Sequence, residues 1–259
     1  MSYTAFLRRA LGAALLSCLM SVAAVAASPN TVQPRVVVSL PPLHSLTARL
    51  LKGVAAPELL MPSHLARRLP ELSAVQVNSL HKADLVIWSG PELEGAIAEA
   101  AALLPDFSRR TLTLSNYLPI RTRTGVSADR DLRFWLDPRL AHHAAHMIAP
   151  ALVRLYPQAS DTILDNEIAL MEELHHIEHG VRAALAVTDD VPREMGASDL
   201  YYLEWRFNQT GGGCPRAGFE PLGFGLEPGP MLYEAFMTRA RDALSACRQK
   251  RTAALAGGR

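Results

Sequence analysis

Ala83-Asp84-Leu85-Val86-Ile87-Trp88-Ser89-Gly90-Pro91-Glu92-Leu93-Glu94, residues 83–94, sets a short apolar strand directly before a helix. Leu85 to Trp88 is unbroken apolar sequence, too short for a helix and stopped by the Gly90-Pro91 pair. Glu92 then starts an alanine-rich helix that runs to Leu104 and ends at Pro105. Upstream, Ala56 to Met61 reads as another short strand, closed by Pro62 in Met61-Pro62-Ser63-His64. Between the two strands, Leu72, Val75, Ser79 and Leu80 recur at helical spacing.

The alternation extends both ways. Arg35 to Leu40 is a continuous apolar run ending at Pro41-Pro42, as expected of a parallel strand buried on both faces. His44 to Leu51 reads as a helix stopped at Gly53, and Thr111 to Leu114 as a weak fourth strand. Such alternation predicts a parallel sheet covered by helices. Residues 115–131 are polar and loop-like. A helix is expected from Arg139 to about Arg154, kinked at Pro150 and cut by Pro157. The longest helix, capped by Ser160 or Asp161, is expected to run to about Ala186. Its apolar positions are Leu164, Ile168, Met171, Leu174, Ile177, Val181 and Leu185. At 1.5 Å per residue it would be roughly 39 Å long, enough to span the molecule. Then come an aromatic segment (Tyr201, Tyr202, Trp205, Phe207), the run Gly211-Gly212-Gly213, and a closing helix near Met231–Arg248.

With 259 residues, 49% of them hydrophobic and 20% charged, the chain can build two modest lobes and carries no bias toward disorder. Arg8 and Arg9 precede an apolar run from Ala10 to Ala27 that ends in small residues, Ala24-Val25-Ala26. This reads as a secretory signal peptide over residues 1–27, and the chain as periplasmic. A lipoprotein signal at Leu15-Leu16-Ser17-Cys18 fits worse, because the apolar run continues past Cys18. Without the leader, 24 basic residues face 25 acidic ones, so no basic field exists for nucleic acid. Cys214 and Cys247 are then the only cysteines in an oxidising setting. They read as one disulfide, contributing about 3–4 kcal/mol in the chain-entropy picture.

Several segments resemble the solute-binding proteins of zinc and manganese ABC transporters. Val36–Leu46 looks like that family's first strand and turn, and residues 61–94 match in length without a gap. Phe134-Trp135-Leu136-Asp137-Pro138 is similar to its His-x-Trp-Leu-(Asp/Ser)-Pro segment. Phe219-Glu220-Pro221-Leu222-Gly223, with Leu226 to Tyr233 and Cys247, looks like its C-terminus. The resemblance implies an α/β fold: two lobes with parallel sheets flanked by helices, joined by one long rigid helix. The N-terminal lobe would be 34–157, the linking helix 158–186, and the C-terminal lobe 187–259. That last lobe is reduced to a small sheet, since only ten residues stand between Phe207 and Gly218. The implied function is delivery of zinc, or a related divalent metal, as a monomer, to a membrane permease, with a sister binding protein as a further partner.

The family's first histidine falls on Arg68, its second on Arg133, and its third near Ala197 or Ser198. A guanidinium is always protonated and has no lone pair, so neither arginine can ligate zinc. The acidic fourth position is kept by Glu220, and His64 lies one helical turn before Arg68. His64 and Glu220 are therefore the candidate metal ligands. Arg68 and Arg133, facing a common cleft, would instead grip an anionic metal chelate or a small acid. A third reading is a non-binding partner that regulates the transporter. The pairs His142–His146 and His175–His179 each share a helix face. Such pairs bind zinc only with further ligands, for which Glu172 or Glu178 stand near, and they read as a solvated face. The glycine run lacks a following Lys-Ser/Thr, the aromatic segment reads as packing, and no nucleophile constellation argues for an enzyme.

Overall fold

A computed structural model describes residues 33–62, 71–122, 130–185, 201–207 and 219–257. Within them, β1 (Val36–Val38), β2 (Glu58–Leu59), β3 (Leu85–Trp88) and β4 (Thr111–Thr113) form one sheet in the order β2-β1-β3-β4. Every pairing is parallel, with Val37 opposite Glu58 and Val86, and Ile87 opposite Leu112. Val36, Val37, Val38, Val86 and Ile87 are almost wholly buried, as continuous apolar strands require.

The helices start where local chemistry dictates. α1 (Pro41–Leu50) begins at the prolines themselves, earlier than the helical spacing predicts, because proline at the first position has its φ already set and no N–H to orphan. α2 (Ala74–Lys82) opens on a reciprocal cap: the Gln76 N–H donates to Ser73 Oγ at 3.4 Å, and the Ser73 N–H to Gln76 Oε1 at 2.9 Å. α3 (Gly95–Leu103) follows β3. α4 (Pro138–Leu155) is capped by Asp137, whose carboxylate accepts the Arg139 N–H at 2.9 Å. It continues through Pro150.

The chain turns at Pro157–Ala159 into α5 (Ser160–Leu185), 26 residues long. So short a connection makes α4 and α5 an antiparallel pair. The face α5 buries differs in part from the expected one. Ile163, Leu170, Leu174 and Val181 are covered, whereas Leu164 is 47% exposed and Ile168 61%. Apolar residues at 163, 164, 168, 170 and 171 fit two neighbouring stripes, and packing against α1 and α4 selects one.

Residues 121–122 and 130–131, expected to be loop, pair as the antiparallel strands β5 (Arg121–Thr122) and β6 (Arg130–Asp131). α6 (Tyr201–Arg206) lies on that hairpin. The Tyr202 hydroxyl donates to the Asp131 carbonyl at 2.6 Å and accepts the Arg121 N–H at 3.0 Å, and the Arg121 guanidinium stacks 2.9 Å from the Trp205 ring centroid. The aromatic segment is thus packing, as its sequence suggests. α7 (Leu232–Gly257) is longer than expected and packs on α1 and α5 through Leu232, Tyr233, Phe236 and Ala240. Among the described residues beyond 200 there are helices and turns but no strand; much of the C-terminal part in which a small sheet was expected lies outside the described residues. Contacts tie the described residues from Pro34 onward into one unit.

Candidate functional site

Parallel sheets bind ligands beyond the carboxyl ends of their strands, at the point where chain connections diverge to either side. In the order β2-β1-β3-β4 that point lies between β1 and β3. The strand ends there carry buried polar groups: Ser39 after β1, Ser89 and Gly90 after β3, and Ser115 after β4. Glu94 reaches back under them. Its Oε2 accepts the Ser89 N–H at 2.7 Å, the Gly90 N–H at 3.2 Å and the Ser89 hydroxyl. Its Oε1 has no well-formed hydrogen bond among the described residues, although the Ser39 hydroxyl lies near enough to favour the charged form. Burial outweighs these donors and raises the Glu94 pKa. Gly90 has φ +148°, and a Cβ there would collide with the Ser115 hydroxyl and stand 2.9 Å from Leu132 Cδ1. The close approach demands glycine.

Arg133 stands before the short 3₁₀ turn Phe134–Leu136 that leads into α4. It is buried, and its guanidinium grips the carboxylate of Asp131 with both ends: Nε to Oδ1 at 2.9 Å and Nη2 to Oδ2 at 2.7 Å. The Arg133 N–H also donates to Oδ1 at 3.0 Å. Arg133 therefore brings its own counter-ion, two residues away in sequence. The Asp-x-Arg spacing was the available signal for this pair, and sequence reasoning passed over Asp131.

Glu220 sits in a turn laid against the start of α1. The Trp135 indole N–H donates to the Pro221 carbonyl at 2.9 Å, so this turn touches the one that follows Arg133. Gly223 takes φ +80° with its backbone against the rings of Pro41 and Pro42. Ser45 and Tyr233 complete the clasp: the Ser45 hydroxyl donates to the Pro230 carbonyl and accepts the Tyr233 N–H, each at 3.0 Å. The Glu220 oxygens accept the Leu222 N–H at 3.0 Å and the Phe224 N–H at 2.6 Å. Glu220 also lines a cavity of about 280 Å³ with Phe219, Phe224, Phe236, Arg239 and Asp242. Arg133 is not in that lining.

His64, Arg68, Ala197, Ser198 and Cys214 lie outside the described residues, as does the side chain of Cys247. Among the described residues, no group of three or more His, Cys, Asp or Glu side chains stands ready to hold a metal. Glu178, considered as a ligand beside the helical histidines, is held by arginines instead. Its carboxylate accepts from Arg206 at 2.6 Å, Arg182 at 2.9 Å and Arg139 at 3.1 Å. Asp137 adjoins this cluster, 3.4 Å from Arg206 Nε, and burial pushes its carboxyl up to about 6.

Comparison with known proteins identifies the architecture. The family profile described as "ZnuA: Zinc-uptake complex component A periplasmic" matches residues 36–203, more than half of the 259. The high-affinity zinc uptake system protein ZnuA of Yersinia pestis is 26% identical over 58% of this chain and 55% of its own length. That of Brucella abortus is 23% identical over 69% and 66%. The chain thus spans about half to two thirds of these relatives. Among solved structures, the SBP FpvC from Pseudomonas aeruginosa in complex with Mn²⁺ superposes with a TM-score of 0.71 at 15% identity, covering 85% of this chain and 99% of that one. A zinc-bound ZnuA lacking residues 138–173 of its own sequence gives 0.57 at 20% identity, covering 68% and 67%. At these identities the structural likeness speaks for the fold, while the profile match speaks for descent. This chain belongs to the family of periplasmic zinc-uptake complex component A proteins.

Proposed function

We propose that this chain is the exported solute-binding component of a zinc-type ABC uptake system and hands a divalent metal to a membrane permease. The observation that carries the reading is the family match over residues 36–203, and the parallel sheet supports it. The leader at 1–27 would send it to the periplasm, where Cys214 and Cys247 would pair. The division into lobes at 34–157 and 187–259 about the helix at 158–186 belongs to the same proposal. FpvC, a chain that this fold covers almost end to end, is described with Mn²⁺ and with Ni²⁺. A shortened form of the fold is thus compatible with a divalent ion.

Glu220 would supply the carboxylate and His64 the imidazole, with water completing the shell of a zinc ion. Arg133 takes no part, because its charge is matched by Asp131. The same ion pair speaks against Arg133 as one jaw of the anion clamp. Titration calorimetry of chelator-stripped protein tests the proposal. Submicromolar zinc binding that falls at least tenfold in both Glu220→Gln and His64→Ala is expected. Wild-type affinity in both variants would refute the assignment of these ligands, and no zinc binding at all would refute the cargo.

A further inference from the structure

The α4–α5 pair carries a group of imidazoles away from the strand ends. Two contacts across the pair fix its register: Arg139 with Glu178 at 3.1 Å, and His146 Nδ1 with Glu167 Oε1 at 2.8 Å. His142 lies between Arg139 and His146 on α4, and His175 lies between Glu167 and Glu178 on α5. They meet across a groove of about 220 Å³, which His143 and Leu174 also line. His142 and His146, four residues apart, share one face of α4. The third ligand that such a pair needs is thus offered by the facing helix, not by a neighbour in sequence.

One contact favours a metal over a solvated surface. The Glu167 carboxylate, only 14% exposed, can accept from His146 only if Nδ1 carries the proton. That leaves the Nε2 lone pair for an ion, the arrangement by which carboxylates orient metal-binding histidines. The donors are not assembled around one point, and the exposed His146 and His175 side chains would have to turn to close the site.

We propose that His142 and His146 of α4 and His175 of α5, oriented by Glu167, form a second site for an imidazole-preferring divalent ion such as Ni²⁺ or Zn²⁺. It lies outside the Glu220 turn and does not depend on the transport reading. Ni²⁺ and Zn²⁺ titrations of the stripped full-length protein test it, with metal content measured after dialysis. The double variant His142→Ala/His175→Ala is expected to lose one bound ion, or to weaken its binding at least 100-fold. Glu167→Gln should weaken it about tenfold, and His81→Ala on α2 should change nothing. Thermal melts of the metal-free variants check that the fold survives. Wild-type stoichiometry and affinity in the double variant would overturn the proposal. If one zinc persists in the double variant and disappears in Glu220→Gln, both sites stand. If zinc binding disappears in the double variant alone, the groove stands and the Glu220 assignment falls.

Discussion

Glu94 shows how one buried acid ties this fold to pH. Its protonated form suits the interior, so its folded pKa lies above the ordinary glutamate value. The stability it contributes is complete in acid, below the unfolded pKa, and is lost as pH rises through the folded value. Glu94→Gln keeps an acceptor for the Ser89 and Gly90 N–H groups but cannot ionise. We expect it to stabilise the protein at pH 7.5 by about 1–3 kcal/mol, the usual penalty of an incompletely satisfied buried group. At pH 4 it should give no gain, and denaturant melts at the two pH values check the difference. Arg133 shows the limit of reading residues singly. Its position in the family segment was legible, but its commitment to Asp131 was not. That pairing depends on how an irregular stretch bends, and residue spacing alone does not encode the bend.

At the scale of elements, the packing of α7 is the test of how the C-terminal part is held. Phe236 is fully buried against Phe219 and Tyr233, with ring centroids 5.2 and 6.4 Å away. Phe236→Ala should cost about 3–5 kcal/mol, as deletion of a core aromatic ring does. A loss below 1 kcal/mol in a denaturant melt would mean that α7 is only loosely attached. The strands and most helices could be read from apolar runs and from proline and glycine punctuation, because those signals are local. The exposed Leu164 and Ile168 could not, since their spacing suits either of two stripes on α5. Nor could the meeting of His142 with His175. It depends on the register of the helix pair, which the turn at Pro157 fixes in three dimensions. The hairpin at 121–122 and 130–131 was missed because its strands are two residues each and polar, too short for any period to show.

For the whole molecule, the sheet, the α4–α5 pair and the C-terminal helix form one connected body, and its seam is the contact between the Glu220 turn and the turn after Arg133. Trp135 sits on that seam, fully buried, its N–H on the Pro221 carbonyl and its own carbonyl accepting the Tyr233 hydroxyl at 2.7 Å. Both partners come from the C-terminal segment, so the indole cannot remain dry unless that segment is seated. Its emission is therefore a built-in optical gauge. With Trp88 and Trp205 replaced by phenylalanine, the remaining fluorescence should be blue in the native protein. It should shift red in Phe236→Ala well before the far-ultraviolet signal of the helices is lost. A red shift coincident with global melting would show instead that the seam opens only when everything does.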